Sequence, residues 1–143
     1  VIWVIDASVA LRWLLVEADH SLADEVLVQV VHHPEHFAVP ELFAFEVYAV
    51  LQQVHPDALS AFQQGIAPIL QMGIFRQPMT ADLADRAERF VKLGLNGFDA
   101  CYAALAEDLK GKWMTCDRKA HLRIKRENIS WLLNESMPKD WPA

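Results

Sequence analysis

Four acidic residues stand where long apolar stretches are interrupted. Asp6 directly follows VIWVI, Glu46 lies inside PELFAFEVYAVL, Asp99 opens FDACYAALAE and Asp117 sits in TCDRKAHL. Carboxylates carried on separate segments do chemistry only if the fold gathers them. Were the four to converge at separations of about 6 Å, each ionised pair would repel by roughly 3 kcal/mol at an effective dielectric near ~20. Protonation relieves that repulsion by raising pKa values, whereas a bound divalent cation relieves it and makes the cluster useful. Hard oxygen donors without a His or Cys spacing select Mg²⁺ or Mn²⁺ over zinc. An ion so held supplies the needs of phosphodiester hydrolysis, namely a nucleophile, charge neutralisation and a stabilised leaving oxygen.

Each acid also has a purely structural explanation. Asp6 precedes a helix and can cap it, Asp99 falls in a first helical turn that favours an acid, and Asp117 can cap a short helix of its own. Glu46 is harder to explain away. It lies four residues after Leu42 and three before Ala49, on what reads as the apolar stripe of its helix, where an unpaired carboxylate would be costly. The alternative for Glu46 is an edge position from which it reaches water or Arg12.

The elements that must position these acids follow from periodicity. Val1 to Ile5 reads as a buried strand, and Ser8 to Glu17 as a helix with Val9, Trp13 and Val16 on one face. A second helix spans Leu22 to Val31, capped by Asp19 or Ser21 and closed before Pro34. Phe37 to Val39 is a strand, and Pro40 introduces a helix over Glu41 to Val54 with Leu42, Phe45 and Ala49 inward. Pro56 to Met72 reads as a helix weakened by Gly65 and Pro68. Ile74 to Phe75 begins a short strand, Ala81 to Leu93 is a helix, and Asn96 with Gly97 forms a turn. Helical spacing resumes over Phe98 to Leu109 with Phe98, Tyr102, Leu105 and Leu109. Strands over Lys112 to Thr115 and Ile129 to Leu133 complete the chain. Apolar strands alternating with helices predict an α/β fold with a parallel sheet covered on both sides. The site of such a sheet lies at the carboxyl ends of its strands, where Asp6 and Asp117 fall.

With 143 residues, 53% of them hydrophobic, the chain has the size of one domain over 1–143 and can bury a core unaided. VIWVI is too short for a leader or a membrane span. Cys101 and Cys116 fit buried, reduced thiols, so a cytoplasmic location is expected. The net charge of -6 argues at first against a nucleic-acid partner, but its distribution is uneven. Residues 1–75 carry nine acids and one base, net -8, and residues 76–143 carry twelve bases and ten acids, net +2. Asp117 is the single acid between Lys110 and Arg126, a stretch that holds seven of the thirteen Lys and Arg. Arg118, Lys119, Arg123, Lys125 and Arg126 there are candidate phosphate contacts, or else a solvated helix face. His32, His33 and His36 invite a metal reading, but Pro34 breaks their helical presentation and no HExxH pattern exists.

VIDASVALRWLL, PELFAFEVYAVL, FDACYAALAE and TCDRKAHL together resemble the four motif blocks of PIN domains, most closely those of VapC-type toxins of toxin–antitoxin pairs. The likeness runs from Ile2 to about Leu122 in the family's order. It implies a three-layer α/β/α sandwich around a central parallel sheet. It puts Asp6, Glu46, Asp99 and Asp117 at the metal-binding, catalytic acid positions and Ser8 and Thr115 at accessory hydroxyl positions. It further implies a Mg²⁺- or Mn²⁺-dependent endoribonuclease leaving 5′-phosphate and 3′-hydroxyl ends, a homodimer, and a small antitoxin partner. Exposed-looking Trp and Phe residues fit the homodimer.

Other classes are a solitary RNA-processing nuclease, a catalytically silent PIN scaffold binding RNA or protein, and a phosphotransfer enzyme with Asp6 as nucleophile. For the last, Ser8 stands where a DxD signature would place its second acid. A serine hydrolase lacks its G-x-S-x-G elbow around Ser8.

Overall fold

The computed structural model describes residues 1–15, 21–134 and 136–142. Five strands form one wholly parallel sheet: β1 (Trp3–Ile5), β2 (Phe37–Pro40), β3 (Phe75–Gln77), β4 (Lys112–Thr115) and β5 (Ser130–Leu132), in the spatial order β3-β2-β1-β4-β5. The central strands β1 and β2 are apolar and buried at every position because helices cover both faces. Edge strand β3 is different, with Phe75 and Arg76 exposed.

Among the described residues eight α-helices connect and flank the strands: α1 (Ala7–Leu14), α2 (Ser21–His32), α3 (Leu42–Val54), α4 (Ala58–Gly65), α5 (Ala67–Leu70), α6 (Ala81–Lys92), α7 (Gly97–Asp108) and α8 (Arg118–Ile124). The connections β1 to β2 and β2 to β3 step one way across the sheet, and β3 to β4 and β4 to β5 step the other. Right-handed crossovers therefore put α1 to α5 on one face and α6 to α8 on the opposite one. The reversal falls between β1 and β4, the switch point beyond whose carboxyl ends open parallel sheets carry their sites. α7 is buried at seven consecutive residues, Ala100 to Ala106, and the four alanines among them let it lie close to the sheet.

Several boundaries differ from the sequence expectation. α1 ends at Leu14, and Val16, Glu17 and the candidate cap Asp19 lie outside the described residues. The helix expected over 56–72 is two, divided at Ile66. A Cβ at Gly65 would come within 2.6 Å of Leu14 Cδ2, so the Leu14 side chain would have to shift, and Pro68 occupies the first turn of α5, where its missing N–H costs nothing. Asn96 is the N-cap of α7 and Gly97 its first residue, rather than a free turn. The inward face of α3 is Phe43, Val47 and Leu51, not Leu42, Phe45 and Ala49. Phe45 is 73% exposed, so Glu46 flanks the core side of its helix instead of lying on the stripe first assigned.

Trp3 and Trp113 are fully buried, and Trp13, Trp131 and Trp141 pack against the core. The exposed aromatics are Phe45, Phe75, Phe98 and Tyr48, so the expectation of exposed tryptophans is corrected. Both cysteines are free thiols. Among the described residues no helix is long and apolar enough to cross a membrane.

Candidate active site

Asp6 follows β1 and, with extended backbone, caps α1 by accepting the Ser8 N–H at 2.9 Å. Its other oxygen accepts the Trp113 indole N–H from β4 at 3.1 Å. The capping role is thus real, and the same carboxylate ties the start of α1 to β4. Burial raises the Asp6 pKa above the usual carboxylate range; the bonds from Ser8 and Trp113 oppose that rise, and the charge of Asp117 adds to it.

Glu46 reaches the same region from α3. Its pKa is pushed up to about 7, first by burial and then by the charges of Asp6 and Asp99. The Tyr102 hydroxyl on α7 faces Glu46 and favours its ionised form, but outside hydrogen-bonding geometry, which leaves Glu46 Oε1 and Tyr102 Oη buried without a partner. A buried acceptor in that condition is costly and calls for a cation or a proton.

Asp99 lies in the first turn of α7, its backbone N–H held by the Asn96 side chain at 2.8 Å. Its carboxylate receives no hydrogen bond among the described residues. Burial, then Asp6 and Asp117, raise its pKa to about 6, while Arg123 opposes the rise. Asp117 is exposed and caps α8 through the Ala120 N–H at 3.1 Å.

Ser8 and Thr115 hold the turn that presents Asp117. Ser8 Oγ lies 3.5 Å from Thr115 Oγ1 and accepts the Cys116 N–H at 3.0 Å. Thr115 Oγ1 in turn accepts the Asp117 N–H at 3.0 Å. The two hydroxyls thereby tie the start of α1 to the end of β4.

The side chains of the basic stretch have different surroundings. Arg123 donates to the Gly94 carbonyl at 2.7 Å and bears on Asp99, so it stands at the rim of the acidic pocket. Lys125 instead lines a cavity with Lys112, toward the amino end of β4. Arg118, Lys119 and Arg126 are exposed. In the histidine tract, His33 and His36 stack with ring centroids 5.5 Å apart and flank Glu35, while His32 Nδ1 lies 2.8 Å from the Val28 carbonyl oxygen, so the three rings do not converge.

Three contributors escaped sequence reasoning: Tyr102, Trp113 and Asn96. Tyr102 had a usable signal, since it falls three residues after Asp99 and so shares its helix face. The indole of Trp113 stacks on the Tyr102 ring, with centroids 5.9 Å apart.

With this geometry established, a family model for the PIN domain matches residues 3–127, a span that contains all four acids. The chain belongs to the PIN-domain family. Among solved structures, PAE2754 from Pyrobaculum aerophilum is 21% identical over 86% of this chain and 84% of its own, with a TM-score of 0.63. FitAcB from Neisseria gonorrhoeae is 13% identical over 93% and 97%, with a TM-score of 0.69. VapC20 from Mycobacterium tuberculosis, a sarcin–ricin loop cleaving toxin, is 14% identical over 94% and 91%, with a TM-score of 0.59. At such identities the likeness concerns the fold. No curated protein sequence matches the chain.

The donor chemistry of this PIN domain fits a hard divalent cation. The donors are all oxygens, one buried carboxylate oxygen lacks a partner, and the Asp99 carboxylate is free to accept. Among the described residues no three His, Cys, Asp or Glu side chains stand at the spacing of a common ion. The acids share one electrostatic field without forming a closed coordination shell.

Proposed function

We propose that this PIN domain is a Mg²⁺- or Mn²⁺-dependent endoribonuclease acting as the toxin of a toxin–antitoxin pair. The observation that carries the reading is the mutual electrostatic influence of Asp6, Glu46, Asp99 and Asp117, which arrive from four different elements. Asp6, Glu46 and Asp99 would hold the ion, with Asp117 orienting from the rim. The bound ion would supply Lewis acidity at the scissile phosphate. The chain's own residues do the rest. Asp6 is fixed by two hydrogen bonds, so its carboxylate is pre-oriented. Glu46, whose buried oxygen has no partner and whose pKa is raised to about 7 without an ion, would give up its proton on binding one. Ser8 and Thr115 hold the turn of Asp117, and Arg123 at the rim meets backbone phosphate.

The toxin assignment draws on the structural likeness to VapC20 and FitAcB. An antitoxin fits the electrostatics, since a basic side chain placed among these acids would meet opposite charge. A homodimer fits the exposed apolar surface. Phe45 and Phe98 are 73% and 60% exposed and, with Met79 and Leu83, line an apolar groove of about 420 Å³. That groove suits a second copy of this chain.

The test is cleavage of RNA by the parent protein with Mg²⁺, with Mn²⁺ and with chelator, beside Asp99→Asn. Metal-dependent products ending in 5′-phosphate, absent from the variant, support the reading. Cleavage indifferent to chelator would overturn it.

A further inference from the structure

A second cavity, of about 460 Å³, opens beside β5 away from the four acids, with Lys112, His121, Lys125, Trp131, Lys139 and Asp140 among its walls. Among the described residues three lysines line it with a single carboxylate, Asp140. Lys112 is already engaged, donating to the Asn128 carbonyl at 2.7 Å and to Asn128 Oδ1 at 2.8 Å. Lys125 and Lys139 have no ion pair or hydrogen bond among the described residues. Unpaired cations gathered around one cavity repel each other unless an anion enters it. Trp131 contributes a fixed wall, since its indole N–H is satisfied by the Ser136 carbonyl at 2.9 Å. His121 reports the field inside. Its Nδ1 lies 2.7 Å from Ser130 Oγ, and its pKa is lowered by burial and then by the positive charges of Lys125 and Arg118.

We propose that this cavity is a secondary subsite for single-stranded RNA, taking a backbone phosphate between Lys125 and Lys139 and a base against the Trp131 ring. Its position relative to the acids supports that ligand over a free nucleotide. α8 begins just after Asp117 and ends just before Lys125, a span of about 10 Å at ~1.5 Å per residue. β4 covers a comparable distance of about 10 Å between Thr115 and Lys112. Arg118, the residue after Asp117, also acts on His121, so positive charge extends from the acidic pocket toward the cavity. A strand with its scissile phosphate at the acids reaches the cavity within a few nucleotides. The choice of RNA as ligand rests on the nuclease reading.

The test uses a short fluorescein-labelled single-stranded RNA and adenosine 5′-monophosphate, each titrated in chelator so that nothing is cut. Lys125→Ala/Lys139→Ala changes two exposed side chains, and its melting temperature should match the parent. It should bind the RNA about tenfold more weakly at moderate salt, and the slope of log affinity against log salt should fall by roughly 0.7, the value for one single-strand phosphate no longer neutralised. Trp131→Leu should weaken RNA binding several-fold yet leave the salt slope unchanged, because stacking releases no counterions. Unchanged affinity and slope in the double lysine variant would overturn the proposal. Lysine-dependent binding of the mononucleotide without RNA binding would also overturn it. Cleavage by the parent in Mn²⁺, measured in parallel, separates the two readings. Lysine-dependent RNA binding without cleavage would leave the subsite standing and remove the nuclease; cleavage with lysine-independent binding would do the reverse.

Discussion

Asp6 and Asp99 are both aspartates at the start of a helix, yet the same substitution has different consequences at each. The Asp6 carboxylate accepts from Ser8 and from Trp113, and an Asn amide has one acceptor oxygen for those two donors. Asp6→Asn should therefore lose activity and also destabilise the fold by about 1–3 kcal/mol, because one buried donor loses its partner. Asp99 accepts nothing, so Asp99→Asn removes only a repelling charge. It should lose nearly all metal-dependent cleavage yet melt in chelator at or above the parent's temperature, which thermal denaturation would check. An active Asp99→Asn would contradict its role. Glu46 gives a pH signature. Its folded pKa of about 7 lies above the ordinary 4.5, so between those values the folded state holds more of the proton than the unfolded chain does. Stability in chelator should decline as pH rises through that window. Glu46→Gln removes the titration, so its advantage in melting temperature should widen from pH 4.5 to above 7. Parallel curves would show that Glu46 is not strained.

Between the single carboxylates and the sheet lies the turn from β4 into α8, where Ser8 and Thr115 act through backbone N–H groups. Ser8→Ala leaves the Cys116 N–H without its acceptor, at a cost of about 1 kcal/mol, and loosens the turn carrying Asp117. Metal affinity or activity should fall by roughly 10- to 100-fold, in the range of other orienting residues, and Ser8→Thr should restore part of it. Full activity in Ser8→Ala would make the hydroxyl incidental. The strands around this turn were readable because buried parallel strands are short, wholly apolar runs, as in Trp3–Ile5 and Phe37–Pro40. Asp6 and Asp117 were readable for the same reason, as the first acids beyond such runs. The facing of α3 was not. LFAFEVYAVL holds more apolar residues than one helix face can bury, so periodicity alone could not choose between Phe43 and Phe45. The break at Ile66 was not readable either, since Gly65 and Pro68 marked a weakened helix without saying where it divides. Tyr102 and Trp113 read as core, which they are, and only the fold shows that their polar atoms face carboxylates.

The assembled protein keeps its unbalanced features on separate surfaces, with acids at the sheet's carboxyl edge, exposed phenylalanines beside them and lysines around the distant cavity. If a second copy covers the groove at Phe45 and Phe98, the parent should scatter light as twice the monomer mass at micromolar concentration. Phe45→Glu/Phe98→Glu should scatter as a monomer and keep the parent's circular dichroism, since both side chains face solvent in the single chain. A parent monomeric throughout that range would rule the interface out. All of these features matter to function only if the four carboxylates bind a divalent ion together, and calorimetric titration of Mn²⁺ tests that directly. Run at pH 6.5 in buffers of different ionisation enthalpy, it reports both affinity and the protons released. Glu46 and Asp99, with pKa values of about 7 and about 6, are partly protonated there and must ionise to bind. The account predicts saturable binding with proton release in the parent, less release at pH 8.5, and at least tenfold weaker binding with less release in Glu46→Gln. Absence of Mn²⁺ binding, or binding whose affinity and proton release are unchanged in Glu46→Gln, would contradict it.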